Sequence, residues 1–353
     1  MNLASCSEAS SGGRIRGLPN RRHFLTRCGL GLAGLPLAVR QVWAAGRTQP
    51  PLIQYLVRLG YHAFELKRDR HDHFLVAGEL EEQRVTFLVD TGCSVSAVDR
   101  RLLKGARTLG ELGIAIQDSL LGRIDRESIY LGKRLALGKA EFFNQPLQAV
   151  DTASLRQQWN AILGLDFLLR HHAILDCWTG WLCLRDAPLE AALEGALDAS
   201  LQCSGYLAVP LTPADGLTLL CRPGVQGQVL TLMVDTGAIW SLLDEGSARQ
   251  LGLKTTSTSK AVQGLDRLVP RALSATRIDE FTLGEGIARN VRMGVADLQP
   301  WFLSKREVQQ ARAAGQPLVE LDGLLGVDHM FAFGALIDCR RRRLWVSRER
   351  MAK

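Results

Sequence analysis

The chain has 353 residues, 46% of them hydrophobic and 22% charged, which is the balance of a soluble globular protein long enough for two domains. Its formal net charge of +7 suggests an anionic partner such as nucleic acid, but six arginines and a single acid fall within the first 44 residues. The other 37 basic and 35 acidic groups nearly cancel, so the composition gives no support for a nucleic-acid-binding surface.

The first 44 residues have the order of segments that is typical of an export signal. Arg21 and Arg22 precede an apolar stretch from Leu30 to Val39, and small residues follow at positions 44 and 45. The pattern is similar to a twin-arginine signal peptide, and a basic, unstructured tail is the alternative. It predicts export to the periplasm, with the Tat translocase as a partner during export. No later apolar run is long enough to span a bilayer, so no stable membrane span is expected.

An internal repeat divides the rest of the chain into two similar halves. Residues 85–92, Val-Thr-Phe-Leu-Val-Asp-Thr-Gly, match residues 230–237, Leu-Thr-Leu-Met-Val-Asp-Thr-Gly, and both read as a strand that ends in a turn. Downstream, positions 137–138, 144 and 151 match positions 283–284, 290 and 297. The segments 162–166 and 324–328 also match, and each precedes an Asp-Cys pair at the same spacing. The repeat predicts two homologous lobes.

The composition of both halves predicts a mainly β fold with short helices, because runs of Val, Leu, Ile, Phe and Thr alternate with glycines. Ser154 and Ser304 have the capping-box spacing that begins a short helix, and the Ala/Leu/Glu-rich residues 188–199 predict a helix between the halves. We therefore expect five regions: a signal peptide over 1–44, an N-terminal linker or extension over 45–70, a first lobe over 71–190, an interlobe linker over 191–205 and a second lobe over 206–350.

Asp90 and Asp235 are the residues that most clearly indicate chemistry. Each follows an apolar strand, where a carboxylate is unstable unless its charge is stabilised or its proton is shared. If the two loops face each other, one carboxyl group can take a proton from a water while the other donates a proton to a carbonyl oxygen. The loop residues beside them permit a tight turn or offer a hydroxyl that can tie the loops together: Thr91, Gly92, Thr236 and Gly237.

Residues 71–350 resemble the retropepsin-like aspartic proteases, in a fused two-lobe form similar in layout to the pepsins. The first family landmark, two apolar residues, Asp-Thr-Gly and a small residue, is present at 88–93 and 233–238. The second, two apolar residues and a glycine, is present at 162–164 and 324–326. The resemblance implies two pseudo-two-fold-symmetric acid-protease β-barrel lobes, a peptide or protein substrate, and neither a metal nor another cofactor. It also implies the site residues: Asp90 and Asp235 as the catalytic pair, Thr91 and Thr236 joining the loops, and Gly164 and Gly326 behind them.

The family closes over its substrate with a glycine-bearing hairpin, or flap, between the two landmarks. Gly122 and Gly264 are the candidate flap tips, with an ordinary surface turn as the alternative for each.

Histidines and cysteines raise two further hypotheses. The segment His71, Asp72 and His73 raises the hypothesis of a metal site with His171 and His172, although a His-x-His pair on a strand is as readily solvent-facing. Six of the eight cysteines lie beyond the signal segment, and an oxidising compartment would permit disulfides among them. Among these, Cys177 and Cys339 occupy equivalent repeat positions, which favours small buried apolar residues.

The sequence therefore predicts an exported aspartic endopeptidase that hydrolyses peptide bonds with a water activated between two aspartates, one from each lobe. The alternative is a non-catalytic peptide-binding or scaffold protein of the cell envelope that retains the protease fold. A pairing of lobes between two chains, rather than within one, also stays open.

Overall fold

The computed structural model describes residues 48–103, 129–150, 158–214, 218–262, 271–299 and 319–352. The predicted signal segment, the helix starts at Ser154 and Ser304, and both candidate flap tips, Gly122 and Gly264, lie outside these ranges. Within them, no helix is both long and apolar enough to cross a membrane.

The first half of the chain is mostly strand. Its helices are α1 (Pro51–Arg58) and α2 (Leu165–Arg170), with a 3-10 turn at Arg100–Leu102. Its strands are β1 (His62–Glu65), β2 (Lys67–Arg68), β3 (Phe74–Leu80), β4 (Gln83–Val89), β5 (Ala97–Asp99), β6 (Ile129–Leu137), β7 (Ala140–Val150), β8 (Ala161–Leu163), β9 (Ile174–Asp176) and β10 (Trp181–Leu184).

The second half repeats this pattern. Its helices are α3 (Ala191–Cys203), α4 (Glu245–Gln250), α5 (Val327–Ala332) and α6 (Arg348–Met351). Its strands are β11 (Tyr206–Pro210), β12 (Thr212–Ala214), β13 (Thr218–Cys221), β14 (Gly224–Val225), β15 (Gln228–Val229), β16 (Leu232–Val234), β17 (Leu242–Asp244), β18 (Thr255–Val262), β19 (Arg271–Leu283), β20 (Gly286–Ala296), β21 (Gly323–Leu325), β22 (Leu336–Asp338) and β23 (Arg343–Ser347).

Each half forms its own sheet, and the two sheets share the same strand pairing next to the Asp-Thr-Gly loop. The first sheet has the order β2-β3-β4-β8-β5-β7-β6, and an additional pairing of β3 with β6 curls it into a barrel-like shape. The second has the order β12-β13-β16-β21-β17-β20-β19-β14-β15, with β18 paired to β19. In both, the strand that ends at Asp-Thr-Gly runs parallel to the strand that ends before the second landmark glycine, β4 with β8 and β16 with β21. The predicted mainly β fold with two similar barrel-like lobes is confirmed.

A six-stranded sheet joins the two lobes in the order β1-β10-β9-β22-β23-β11. Its two central strands, β9 and β22, are the equivalent Asp-Cys segments of the repeat. They pair antiparallel with Leu175 opposite Ile337, which are also equivalent residues. Antiparallel pairing of equivalent strands is what an approximate two-fold axis between the lobes requires.

Two helices cover one face of this shared sheet. Helix α1 buries Ile53 and Leu56, three residues apart, and α3 buries Leu197 and Leu201, four apart, in one apolar cluster with Trp345 of β23. Strand β1 also pairs with β10. Residues 48–70 of the segment expected as a linker or extension are thus part of the folded body, and most of the expected interlobe linker over 191–205 is helical.

The repeated Gly and Asn positions have a backbone explanation. Gly138 and Gly284 turn the β6–β7 and β19–β20 hairpins with φ of +56° and +59°. Asn144 and Asn290 follow in the next strands with φ of +54° and +56°. This left-handed region is open to glycine and favours Asn among the other residues, so the same two residue types recur in both lobes.

The equivalent cysteines Cys177 and Cys339 are free thiols and are fully buried, which fits the prediction that they act as small apolar residues. Burial raises the pKa of both thiols above the ordinary value, with nearby aspartate charges adding to the effect. They are therefore unreactive, and the disulfide that an oxidising compartment would permit is not formed between them.

Candidate active site

Each Asp-Thr-Gly loop begins by extending the parallel strand pairing. The Asp90 amide donates to the Leu163 carbonyl at 3.0 Å, and the Asp235 amide donates to the Leu325 carbonyl at the same distance. The loop then folds back on its carboxylate: Oδ1 of Asp90 accepts the amides two and three residues on at 2.8 and 3.1 Å, and Oδ1 of Asp235 does so at 2.8 and 3.1 Å. The two loops have the same geometry.

Four hydrogen bonds, which we name the threonine lock, tie one loop to the other. The Thr91 hydroxyl donates to the Val234 carbonyl at 2.7 Å, and the Thr236 hydroxyl donates to the Val89 carbonyl at 2.8 Å. In return, the Thr91 amide donates to the Thr236 hydroxyl at 3.0 Å, and the Thr236 amide donates to the Thr91 hydroxyl at 3.1 Å. The lock joins residues from the two lobes of a single chain and is reciprocal.

The lock brings the two carboxyl groups together. Asp90 and Asp235, the aspartate dyad, lie within hydrogen-bonding reach of each other. A Cβ placed on Gly92 would lie 2.4 Å from the Asp235 carboxyl, and one placed on Gly237 would lie 2.4 Å from the Asp90 carboxyl. Each loop glycine therefore leaves the room that the opposite carboxyl group occupies.

The electrostatics of the dyad favour a shared proton. Asp90 is buried and Asp235 is half-buried. Desolvation raises the pKa of both carboxyl groups, and the charge of Asp90 raises the pKa of Asp235 further. The loop amides, and for Asp90 also the charge of His73, act in the opposite direction. One member can thus be ionised while the other holds a proton.

A serine and an aspartate support the first loop from behind. The Ser96 hydroxyl accepts the Gly164 amide at 2.9 Å and donates to Asp166 Oδ1 at 2.7 Å, while the Ser96 amide donates to the same oxygen at 2.8 Å. A Cβ on Gly164 would lie 2.7 Å from the Val95 carbonyl carbon, closer than van der Waals contact allows. Gly164 is required because the loop backbone packs directly against it.

The second loop has the same support. The Ser241 hydroxyl accepts the Gly326 amide at 2.9 Å, and the Ser241 hydroxyl and amide both donate to Asp328 Oδ1 at 2.8 Å. A Cβ on Gly326 would lie 2.6 Å from the Trp240 carbonyl carbon. The equivalent positions of the repeat thus carry equivalent contacts.

The sequence reasoning missed these supporting residues, although the repeat contains their signal. Ser96 and Ser241 each stand six residues after a dyad aspartate, and Asp166 and Asp328 each stand two residues after a landmark glycine. A hydroxyl and a carboxylate repeated at fixed offsets from the same motifs indicate a shared hydrogen-bonded role rather than two surface positions.

The two supports differ in one residue. The position after Asp166 is Phe167, whereas the position after Asp328 is His329, whose Nδ1 lies 3.2 Å from Asp328 Oδ1. Burial raises the pKa of Asp166 to about 6, although the hydrogen bonds from Ser96 act to lower it. Burial also acts to raise the pKa of Asp328, but His329 and Ser241 outweigh it and lower the pKa below the ordinary value. The two supporting carboxyl groups therefore titrate in different pH ranges.

This difference predicts opposite pH dependence for two matched variants. Asp166, with its pKa raised from 3.8 to about 6, contributes stability that is full below its ordinary pKa and is lost as the pH rises through about 6. We expect Asp166→Asn to gain roughly 2–3 kcal/mol of unfolding free energy relative to wild type between about pH 4 and about pH 7. The measurement is urea unfolding across that range.

Asp328→Asn is the matched control, because Asp328 contributes stability that is present above its ordinary pKa and is lost as the pH falls. The unfolding free energy of Asp328→Asn, measured relative to wild type, should therefore rise as the pH falls. If this difference from wild type changed with pH in the same way for both variants, the pKa directions assigned to Asp166 and Asp328 would be wrong.

The histidines considered for a metal site lie in different environments. His71 is exposed, but His73 is buried, so the alternative of a solvent-facing pair is wrong for His73. Its Nδ1 lies 2.9 Å from Asp69 Oδ2. His171 packs on Phe167 with ring centroids 4.5 Å apart. In the part of the chain that the structure describes, no group of three His, Cys, Asp or Glu side chains is placed to hold a metal ion.

Two similar β lobes, a shared sheet and a pair of facing Asp-Thr-Gly loops together define the class: a two-lobed, acid-protease-type β protein. The family model described as aspartyl protease matches residues 224–329, which include Asp235 and Gly326, and so the predicted resemblance to that family is confirmed over this part of the chain. The first lobe lies outside the match, and its dyad residue rests on the internal repeat and the geometry.

The solved structures that match include basic 7S globulin from soybean, with 11% sequence identity, a TM-score of 0.42, and coverage of 82% of this chain and 94% of that chain. No curated protein matches this chain significantly.

Proposed function

We propose that the protein is an aspartic endopeptidase, which hydrolyses peptide bonds with a water activated between Asp90 and Asp235. The observation that carries the proposal is the threonine lock, because it holds two acids with raised pKa values face to face. An isolated Asp-Thr-Gly turn would have no reason to bury its carboxyl group against a second one.

The chemistry follows from one ionised and one protonated carboxyl group. The ionised member accepts a proton from a water as the water oxygen forms a bond to the peptide carbonyl carbon. The protonated member donates its proton to the carbonyl oxygen, which gives a neutral tetrahedral diol. The carboxyl group that received the water proton then donates it to the nitrogen, and the other carboxylate accepts a hydroxyl proton of the diol. The carbon–nitrogen bond breaks to leave a carboxylic acid and an amine, and the dyad again holds one proton.

The substrate class in this proposal is an extended segment of a peptide or protein. Such a segment can lie between the lobes and pair its backbone with strand edges, as peptides do when they add to a sheet. We further propose that the protein acts after export by the Tat route, in the periplasm, since the predicted signal segment precedes the folded body in the chain.

Cleavage of a diverse peptide library in water enriched in ¹⁸O tests the proposal. We expect one ¹⁸O atom in the new carboxyl terminus of the N-terminal product of each cleavage, because the bond is broken by water, and inhibition by pepstatin, because an aspartate dyad carries the reaction. Peptide binding without turnover at any pH would instead favour the non-catalytic scaffold alternative, and turnover that resists pepstatin would contradict the aspartic mechanism.

A further inference from the structure

A buried acid–histidine pair, Asp69 and His73, lies beside one member of the dyad. Strand β3 pairs antiparallel with β4, with Leu75 opposite Leu88. Continued by two residues, that register places His73, just before β3, alongside Asp90, just after β4. The placement agrees with the electrostatic interaction between the His73 ring and the Asp90 carboxyl group.

Asp69 fixes the orientation of the histidine. Its Oδ1 accepts the backbone amides of His71 and His73 at 2.8 and 3.0 Å, and its Oδ2 lies 2.9 Å from His73 Nδ1. Burial alone would raise the pKa of Asp69, but these bonds lower it below the ordinary value of 3.8. Asp69 is therefore mostly ionised at any pH above that value. An ionised carboxylate at Nδ1 keeps a proton on that nitrogen, which fixes the tautomer and the orientation of the ring.

At the position equivalent to His73, the second lobe has a neutral residue. In that lobe β13 pairs with β16, with Leu220 opposite Met233, and the same two-residue continuation places Thr218 alongside Asp235. Thr218 is 2% exposed and is a neutral side chain. The aspartate dyad, symmetric in its loops and its lock, is therefore asymmetric in the residue that flanks each carboxyl group.

We propose that Asp69 holds the basic side chain of His73 against Asp90. This makes Asp90 the ionised, water-activating member of the dyad and Asp235 the member that holds the proton. The inference rests on the proposed function and deepens it, because it assigns different roles to two otherwise equivalent acids. The attacking water then loses its proton to Asp90, and the carbonyl oxygen receives the proton of Asp235.

The groups around the histidine support this direction. Among the described residues, Asp69 of the turn before β3 contacts its ring and Asp90 of the loop after β4 interacts with its charge. The His71 ring stands edge-on at 6.1 Å between centroids and is exposed to solvent. The charge of the His73 ring acts to lower the pKa of Asp90, which favours a carboxylate at that position. His73 is a positioning residue and acts through Asp90.

Carboxyl ¹³C NMR titration of aspartate-labelled protein tests the assignment directly and does not require turnover. In wild type the dyad should titrate in two steps, and Asp90→Asn and Asp235→Asn identify which step involves which residue. In His73→Gln we expect the lower step to move up by about one pH unit, because a nearby positive charge is lost. The acid limb of kcat/KM should move by the same amount.

Three further variants make the test specific. His73→Arg keeps the positive charge and should leave the lower step near its wild-type position. His73→Thr introduces the residue type that the second lobe has at the equivalent position, and it should behave like His73→Gln. It provides a second neutral variant if glutamine disturbs folding. His71→Gln is the matched control in the same turn and should change nothing.

The outcomes separate this inference from the proposed function. An unmoved lower step in folded His73→Gln and His73→Thr overturns the inference, even if the wild type cleaves peptides normally. An equal shift in His71→Gln also overturns it, because the effect would then be unspecific. If the wild type cleaves no peptide but the steps move as expected, the charge asymmetry stands and the protease proposal fails.

Discussion

Asp90→Asn and Asp235→Asn should each lower kcat for peptide cleavage by roughly 10³-fold or more, because an amide can neither accept the water proton nor donate one as the carboxyl pair does. The double variant should be no worse than either single one, since the two acids act as a unit. The measurement is initial-rate cleavage of one defined peptide selected from the library.

Two controls separate catalysis from folding in this experiment. Asp279→Asn changes an exposed aspartate on a strand of the second lobe and should retain wild-type activity. The dyad variants should be at least as stable as wild type at neutral pH, because each removes an ionisable group from a site that disfavours charge. If either dyad variant is folded and cleaves the peptide at the wild-type rate, the catalytic assignment is wrong.

Removing one hydroxyl of the threonine lock should have the largest effect on stability. In Thr91→Val the Val234 carbonyl loses its donor and the Thr236 amide loses its acceptor, and both groups are buried. Leaving two buried groups unpaired should lower the unfolding free energy by about 2–5 kcal/mol. Thr236→Val removes the equivalent pair of bonds and should cost a similar amount. Urea unfolding measures both.

Serine variants provide the matched control for the lock. Thr91→Ser and Thr236→Ser keep the hydroxyl and lose only a methyl group, so most of the stability and activity should remain. The valine variants should also lose activity beyond their loss of stability, since the lock sets the distance between the carboxyl groups. Valine variants that unfold like the serine variants would contradict the role of the lock.

The sequence could predict the paired features of this fold because duplication repeats them. Asp90 and Asp235, and the glycines that back their loops, recur at equivalent positions, so each occurrence supports the other. The sequence also predicts that Thr91 and Thr236 join the loops, but it does not show which groups their hydroxyls and amides bond to. These bonds join residues about 145 positions apart and depend on how the lobes close on the shared sheet.

Asymmetric features escape a reading based on the repeat. His73 has Thr218 as its counterpart, and His329 has Phe167, so neither histidine belongs to the shared pattern. The significance of His73 depends on strand register and on the buried contact with Asp69, both of which are three-dimensional properties. A short turn containing His71 and His73 could as readily have faced solvent.

The central claim is that one chain supplies both aspartates of a single active site. Calorimetric titration of the monomeric wild-type protein with pepstatin directly measures how many inhibitor molecules bind per chain. The account predicts one equivalent of inhibitor per chain, and binding weaker by at least about tenfold in Asp90→Asn and in Asp235→Asn, because the inhibitor's hydroxyl contacts both carboxyl groups. Half an equivalent per chain, or unchanged binding in both variants, would contradict it.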